Sequence, residues 1–341
     1  MKFIRELPDA SGIREEYSLT DKQKKAREKR IKEIQNIIEG KDDRKLIIVG
    51  PCSADREDSV LEYATNLAKL SEEVKNELLI VPRIYTAKPR TTGAGYKGIL
   101  HNPMGDGKVD ILSGVVAARN LHIKVIKETG LYSADEMLYP EEIFYLADIL
   151  AYQAVGARSV EDQGHRMVAS DTVTPVGMKN PTGGSKITLI NSIKAAQMAH
   201  VFMYRGWEVS TEGNEYAHAI LRGFTNKSGS NYPNYHYEDL CELFDLCQKN
   251  NIVNKSVIVD CNHANSNKHY DQQVRIAKEV QGIYKNDKNL SQFIKGFMIE
   301  SYLEDGNQLP GGGVFGKSIT DPCLGWEKTE KLIKELAENE A

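Results

Sequence analysis

The sequence predicts an α/β protein: a (β/α)8 barrel, the TIM-barrel architecture, with an N-terminal extension and an extra β-hairpin before its sixth strand. Three observations lead to that reading. Eight short apolar runs, each followed by a stretch with helical period, recur within about 300 residues. No repeat, low-complexity tract or interdomain linker interrupts them. Chemistry-bearing residues also sit where those runs end: Ile48-Val49-Gly50-Pro51-Cys52-Ser53, Ile258-Val259-Asp260-Cys261-Asn262-His263, and Gly296-Phe297-Met298-Ile299-Glu300, with Lys317-Ser318-Ile319-Thr320-Asp321 following after a glycine-rich loop. In a parallel barrel the C-terminal strand ends converge on one mouth, so a thiol, an imidazole and two carboxylates far apart in sequence can share one metal ion.

Along the chain, residues 1–44 form an extension with an oligomeric or regulatory role, ahead of a catalytic barrel over 45–341. The extension holds a helix opened by the capping box Thr20-Asp21-Lys22-Gln23, striped by Ile31, Ile34 and Ile38, and closed by Gly40. Strands are expected at 45–50, 78–85, 133–138, 156–160, 175–179, 218–223, 256–261 and 296–300, the third being only partly apolar. Helical period marks Ile143, Leu146, Ala147 and Leu150, and again Leu240, Leu243, Phe244 and Cys247. Residues 199–217 read as the additional hairpin.

A formal net charge of -4 and a pI near 6.1 argue against a broad nucleic-acid surface. No run reaches the roughly 18 apolar residues of a membrane span, and Met1-Lys2-Phe3-Ile4-Arg5-Glu6 lacks the apolar core of a signal peptide. Five scattered cysteines fit reduced thiols, and the expected compartment is the cytoplasm.

Singly, Cys52 and His263 read as buried core residues, and Glu300 and Asp321 as ordinary polar loop residues. Their coincidence at strand ends favours a shared divalent metal, and the thiolate favours Mn, Fe, Co or Zn over Ca or Mg. Cys241 and Cys247 belong to a helix, and strand alternation turns Cys261 away from the side of His263. Arg83, Lys88-Pro89-Arg90-Thr91, Arg158, His165-Arg166, Lys179 and Arg222 gather at the same ends. Surface lysines and arginines are normally solvated charges, but buried near strand ends they imply a polyanionic ligand. Gly93-Ala94-Gly95-Tyr96-Lys97-Gly98 matches a dinucleotide fingerprint in spelling alone. Lys88-Pro89-Arg90-Thr91-Thr92 separates it from the preceding strand, and no helix opens on it, so no organic cofactor is expected. Its glycines suit a loop lying over the barrel mouth.

These residues together resemble the class I 3-deoxy-D-arabino-heptulosonate 7-phosphate (DAHP) synthases, from about Asp42 to Trp326. The resemblance is carried by Gly50-Pro51-Cys52-Ser53, Lys88-Pro89-Arg90-Thr91-Thr92, Gly156-Ala157-Arg158, Pro175-Val176-Gly177-Met178-Lys179-Asn180, Ile220-Leu221-Arg222-Gly223, His263-Ala264-Asn265-Ser266, Glu300-Ser301, Glu304-Asp305-Gly306-Asn307-Gln308 and Gly316-Lys317-Ser318-Ile319-Thr320-Asp321. It implies a metal-dependent condensation of phosphoenolpyruvate with erythrose 4-phosphate and water, the first step of the shikimate pathway. Cys52, His263, Glu300 and Asp321 would hold one divalent metal per subunit. Arg83, Lys88, Arg158, Lys179 and Arg222 would bind phosphoenolpyruvate, with Glu136 nearby. Lys88, Pro89, Arg90 and Thr91 would bind the aldehyde, with Lys88 as proton donor; Ser159 stands where many relatives carry threonine. A homodimer or homotetramer is implied, and so is an aromatic amino acid as effector. Two effector-cavity positions that are serine in phenylalanine-regulated relatives fall on Val173 and Tyr204.

The nearest rival is 3-deoxy-D-manno-octulosonate 8-phosphate synthase, whose loop reads Lys-Ala-Asn-Arg-Ser where this chain has Lys88-Pro89-Arg90-Thr91-Thr92. A rival of another class is a catalytically silent barrel kept as a binding partner. The intact ligand and basic sets argue against it.

Overall fold

The computed structural model describes residues 1–340. Helix α1 (Ala10–Glu16) and helix α2 (Asp21–Glu39) precede the barrel. The expected capping box opens α2, and Gly40 closes it at φ 77°, a left-handed conformation that glycine adopts without a Cβ clash. Ile31, Ile34, Ile37 and Ile38 are buried beneath it. They join Leu46 and Ile48 in one cluster, so α2 packs against the N-terminal end of the barrel. Arg27 Nε donates to Leu150 O at 2.7 Å and Tyr132 Oη to Gln23 O at 2.6 Å, tying the helix to the chain leading into the third and fourth strands.

The barrel follows as β1 (Lys45–Gly50), α3 (Glu57–Glu73), β2 (Leu78–Pro82), α4 (Ile111–Thr129), β3 (Ala134–Met137), α5 (Ile143–Leu146), β4 (Tyr152–Val155), α6 (Gln163–Ala169), β5 (Val176–Lys179) and α7 (Lys186–Gln197). The extra hairpin β6 (His200–Tyr204) and β7 (Trp207–Thr211) comes next, pairing antiparallel from His200 with Thr211 to Tyr204 with Trp207. The barrel resumes with β8 (Ala217–Leu221), a two-residue pair β9 (Phe224–Thr225) and β10 (Asn231–Tyr232), α8 (Tyr237–Lys249), β11 (Val257–Asp260), α9 (Gln272–Asn286), α10 (Lys288–Phe293), β12 (Ile294–Glu300) and α11 (Trp326–Glu340). Eight parallel strands run in the order β2-β1-β12-β11-β8-β5-β4-β3. A parallel bridge from Arg83 to Ala134 joins the two ends of that order and closes the barrel.

Two expectations are corrected. The fourth strand is Tyr152–Val155 rather than 156–160, so Arg158 lies in the turn after it. Gly156-Ala157-Arg158-Ser159-Val160 has a β-like composition, but Ser159 and Val160 donate backbone N–H groups to Gly156 O in a tight turn. The helix expected through Leu150 is a single turn, α5, because Leu150 lies only two residues before β4 begins.

Alternation sorts the strand residues into two layers. Ile47, Val49, Leu78, Ile80, Val176, Met178, Val259 and Cys261 pack with residues of the surrounding helices. Leu46, Ile48, Leu79, Val81, Ala134, Ala154, Ile220, Ile258 and Met298 form the other cluster. Gly177 makes room inside: a Cβ there would lie 2.2 Å from Tyr152 Oη. That hydroxyl lies 2.8 Å from His218 Nε2, and His218 Nδ1 lies 2.8 Å from Tyr216 O. Burial drives the His218 imidazole down to about 4 from an ordinary 6.5. The unfolded chain therefore binds a proton that the folded chain refuses between those two values, and stability should fall as pH drops from 6.5 to 4. The contribution is roughly 3 kcal/mol at most. Thermal melts across this range should show a shallower acid limb for His218→Gln; an unchanged limb would assign the acid sensitivity to other groups.

Candidate metal and anion site

Counting two residues on from the inward-facing positions explains the mouth. Val81 leads to Arg83, Ala134 to Glu136, Gly177 to Lys179, Ile220 to Arg222, Ile258 to Asp260 and Met298 to Glu300. Each is the next residue of the same parity at its strand's C-terminal end. Cys52 arrives differently, just past β1 behind Pro51, and Asp321 comes from the loop before α11.

Cys52, Glu300 and Asp321 converge: a ligand atom from each lies within 4.8 Å of the others. His263 stands beside this trio rather than within it. Its Nε2 is 3.6 Å from Glu300 Oε1, and its Nδ1 is 2.8 Å from Asp260 Oδ2. A φ of 51° at His263 turns the ring back from the end of β11. Buried Asp260 thus stands behind the imidazole at ion-pair distance, although its Oδ2 and His263 Nδ1 make no hydrogen bond. The sequence reading passed over Asp260; the available signal was a carboxylate ending an otherwise apolar strand.

The electrostatics suit a cation. Burial pushes the Cys52 thiol up to about 11, with Glu300 adding to the shift. Burial would also raise the Glu300 carboxyl, yet His263, Arg83 and Lys88 outweigh it and the pKa falls. Asp321 is lowered the same way, Lys88, His263 and Lys268 overcoming burial. Lys88 Nζ lies 2.7 Å from Cys52 Sγ and 4.0 Å from Asp321 Oδ2. Burial alone would depress its ammonium, but Cys52, Glu300 and Asp321 together raise it. Arg83 is buried, stacks over the Tyr85 ring with Cζ 3.7 Å from the centroid, and donates to Glu300 Oε1 at 2.9 Å and to Pro51 O. Asn262 Nδ2 donates to Glu300 Oε2 at 2.6 Å, which completes a rigid carboxylate. One thiol and two carboxylates around one point, with the His263 imidazole beside them, fit a borderline divalent ion.

Above this floor opens a cavity of about 600 Å³ lined by Arg83, Lys88, Arg90, Arg158, Lys179, Arg222 and Lys268, with only Glu136 and Asp321 as acids. Pro89 and Thr91 also line it, as expected of their loop. Glu136 Oε2 lies 2.6 Å from Lys179 Nζ. Burial would raise that carboxyl, but Lys179 outweighs it and holds the carboxyl at about 2. Arg158 is exposed, and its Nε donates to Thr91 Oγ1 at 3.0 Å, linking the turn after β4 to the Lys88–Thr91 loop.

Three expected members stay outside the cavity. Ser159 does not line it, His165 is held by Asp162 and Leu138 O, and Arg166 Nε donates to Val160 O at 2.7 Å. Lys268 was missed. Its ammonium is 2.9 Å from Asp321 Oδ1, and its φ of 61° lies in a loop whose direction the sequence pattern does not reveal.

Residues 20–334 match the model of the DAHP synthetase I family. The chain is similar to the Phe-sensitive phospho-2-dehydro-3-deoxyheptonate aldolase of Escherichia coli K12, with 38% identity covering 99% of this chain and 95% of that one. It is similar also to the Tyr-sensitive enzyme of Salmonella typhimurium, with 39% identity over 89% and 84% of the two chains, and to the Trp-sensitive one of Enterobacter agglomerans, with 38% over 90% and 87%. A solved phospho-2-dehydro-3-deoxyheptonate aldolase from Francisella tularensis SCHU S4 superposes with a TM-score of 0.91 at 34% identity, covering 99% of this chain and 98% of the other.

Proposed function

The chain belongs to the DAHP synthetase I family of carbon–carbon bond-forming enzymes, and from that premise we propose that it condenses phosphoenolpyruvate with erythrose 4-phosphate and water to DAHP and phosphate. The observation that carries the reading is one cavity with seven cationic side chains, Arg83, Lys88, Arg90, Arg158, Lys179, Arg222 and Lys268, above a thiol–carboxylate floor. Two phosphorylated substrates bring more negative charge than Glu136 and Asp321 cancel.

Cys52, His263, Glu300 and Asp321 would hold the metal, Mn, Fe, Co or Zn by the softness of the thiolate. When bound it supplies Lewis acidity toward the aldehyde oxygen. Arg158, Lys179 and Arg222 bind the phosphate and carboxylate of phosphoenolpyruvate and hold carbon 3 toward the aldehyde. Pro89, Arg90 and Thr91 position the four-carbon sugar phosphate. Lys88, an ammonium kept protonated by its anionic neighbours, gives its proton to the aldehyde oxygen as carbon 3 attacks. Water adds at carbon 2, and the arginines stabilise the tetrahedral phosphohemiketal as it expels phosphate.

Loss of phosphoenolpyruvate absorbance tests this directly. Erythrose 4-phosphate should support turnover and arabinose 5-phosphate should not, and chelator should stop the reaction. Preference for the five-carbon sugar would favour the octulosonate rival, and no turnover with either would favour a silent barrel.

The hairpin and extension support an oligomeric role for residues 1–44. Val201, Met203 and Trp207 are exposed on the hairpin, an apolar face that a second copy of the chain would cover. The relatives are named for sensitivity to Phe, Tyr or Trp. In this chain Val173 is exposed and offers no hydroxyl, while the Tyr204 ring packs 5.3 Å from Phe144. We therefore expect weak or absent inhibition by phenylalanine, with the extension serving mainly oligomer packing. Titrating each aromatic amino acid in the steady-state assay checks it; strong inhibition by micromolar phenylalanine would show an open cavity.

A further inference from the structure

Gly93-Ala94-Gly95-Tyr96-Lys97-Gly98, the run that spells a dinucleotide fingerprint without opening a helix, folds back against Lys88-Pro89-Arg90-Thr91 instead. Lys88 N donates to Lys97 O and Leu100 N to Thr86 O, both at 3.0 Å, so residues 88–97 form a loop closed at its neck. Gly98, at φ 92°, passes so close to the chain leaving β2 that a Cβ would stand 2.2 Å from Thr86 O. Gly95, at φ 91°, lies under the Arg90 guanidinium, and a Cβ there would stand 2.8 Å from Arg90 Nη2.

The run therefore makes a seat for Arg90. Gly93 N donates to Arg90 O at 3.0 Å, and Arg90 Nε donates to Ala94 O at 3.1 Å. The two Nη groups make no hydrogen bond among the described residues, and Arg90 lines the anion cavity. Such a guanidinium is oriented by one edge and keeps the other for a ligand.

The seat has an anchor outside the loop. Tyr96 Oη donates to Ala54 O at 2.8 Å. Ala54 lies two residues past Cys52, and its N–H donates to Tyr85 O at 2.9 Å. Next to it, Asp55 Oδ1 accepts from Tyr302 Oη at 2.9 Å, and Tyr302 lies two residues past Glu300. The anchor point is thus tied to the strand ends that carry two of the metal-site residues. Burial, with Asp55 adding to it, pushes the Tyr96 phenol up, so the hydroxyl remains a donor. Neither Tyr96 nor Ala54 lines the anion cavity.

We propose that Tyr96 is a positioning residue for the aldehyde subsite: its bond to Ala54 O pins the seat at 93–95 to the Cys52 segment and holds Arg90 ready for the phosphate of the sugar. A guanidinium already in place loses little freedom when the phosphate arrives, whereas an unpinned loop must be ordered during binding. What Arg90 binds rests on the reaction proposed above; the latch itself does not.

Tyr96→Phe removes the hydroxyl alone. In the substrate-free protein, hydrogen exchange read by mass spectrometry should be about threefold or more faster for peptides within 88–98 of the variant, with those of β1 and β12 unchanged. The KM for erythrose 4-phosphate should rise by about fivefold, the effect of one hydrogen bond. The kcat and the KM for phosphoenolpyruvate should stay within about twofold of wild type. In an Arg90→Ala background, Tyr96→Phe should change the aldehyde KM by less than about twofold, because the latch acts through Arg90. Equal exchange in the two proteins, a KM rise shared by both substrates, or full additivity with Arg90→Ala would overturn the proposal. Wild type that does not turn over erythrose 4-phosphate would overturn the assigned reaction instead, and the exchange comparison would still decide the latch.

Discussion

Replacing Cys52 by alanine is expected to abolish turnover while leaving the barrel folded. The side chain is fully buried at the floor of the mouth, and its Sγ is the only sulfur in the trio with Glu300 and Asp321. Its loss removes one soft ligand of the proposed metal and the partner that Lys88 Nζ meets at 2.7 Å. The cavity created is one sulfur atom in size, so the cost in stability should be about 1 kcal/mol. Chelation should reproduce the loss in wild type, and Mn, Co or Fe should restore activity there but not in the variant. Far-ultraviolet circular dichroism and thermal melts separate loss of chemistry from loss of fold. Undiminished activity in metal-free enzyme would sink the metal proposal.

The second large effect concerns phosphoenolpyruvate. Arg158→Ala should lower kcat/KM for this substrate by at least about tenfold, roughly 1.4 kcal/mol. Arg158 is exposed on a turn, so the loss should fall on binding and turnover rather than stability. Lys179→Ala should cost more, because it also strands Glu136, now without its partner at 2.6 Å. Breaking a buried pair costs about 3–5 kcal/mol. Adding Glu136→Gln to that variant should recover stability without recovering activity. Arg90→Ala should act instead on the KM of the aldehyde. Identical kinetic patterns for Arg158→Ala and Arg90→Ala would mean that the two ends of the cavity are not separate subsites, and the bond from Arg158 Nε to Thr91 Oγ1 at 3.0 Å marks where they meet.

Most of the barrel was legible because apolar runs of near-constant length recur with helical stripes between them. Position at a strand end also pointed Arg83, Lys179, Arg222 and Glu300 to the mouth, and in the folded chain all four keep the parity of inward-facing neighbours. The unit from β3 to β4 was misread because Gly156-Ala157-Arg158-Ser159-Val160 has a β-like composition and yet makes a turn. Asp260 and Lys268 escaped notice for different reasons. Asp260 stands behind His263, and Lys268 reaches the cavity from a loop with no period to extrapolate.

Local sequence determined the extension helix and its caps, the hairpin, most of the strand ends and the candidate residues for holding metal and anions. These depend on propensity, period and hydrogen-bonding capacity within a few positions, which the order of residues specifies directly. Tertiary structure alone decided that Cys52, Glu300 and Asp321 share one point while His263 leans on Asp260, and that Lys88 stands between thiol and carboxylate. It alone brought the Tyr96 hydroxyl to Ala54 O. Such relations depend on closure of the sheet and on strand register, contacts between segments separated by up to hundreds of residues, and no local pattern in the chain encodes a distance of that kind.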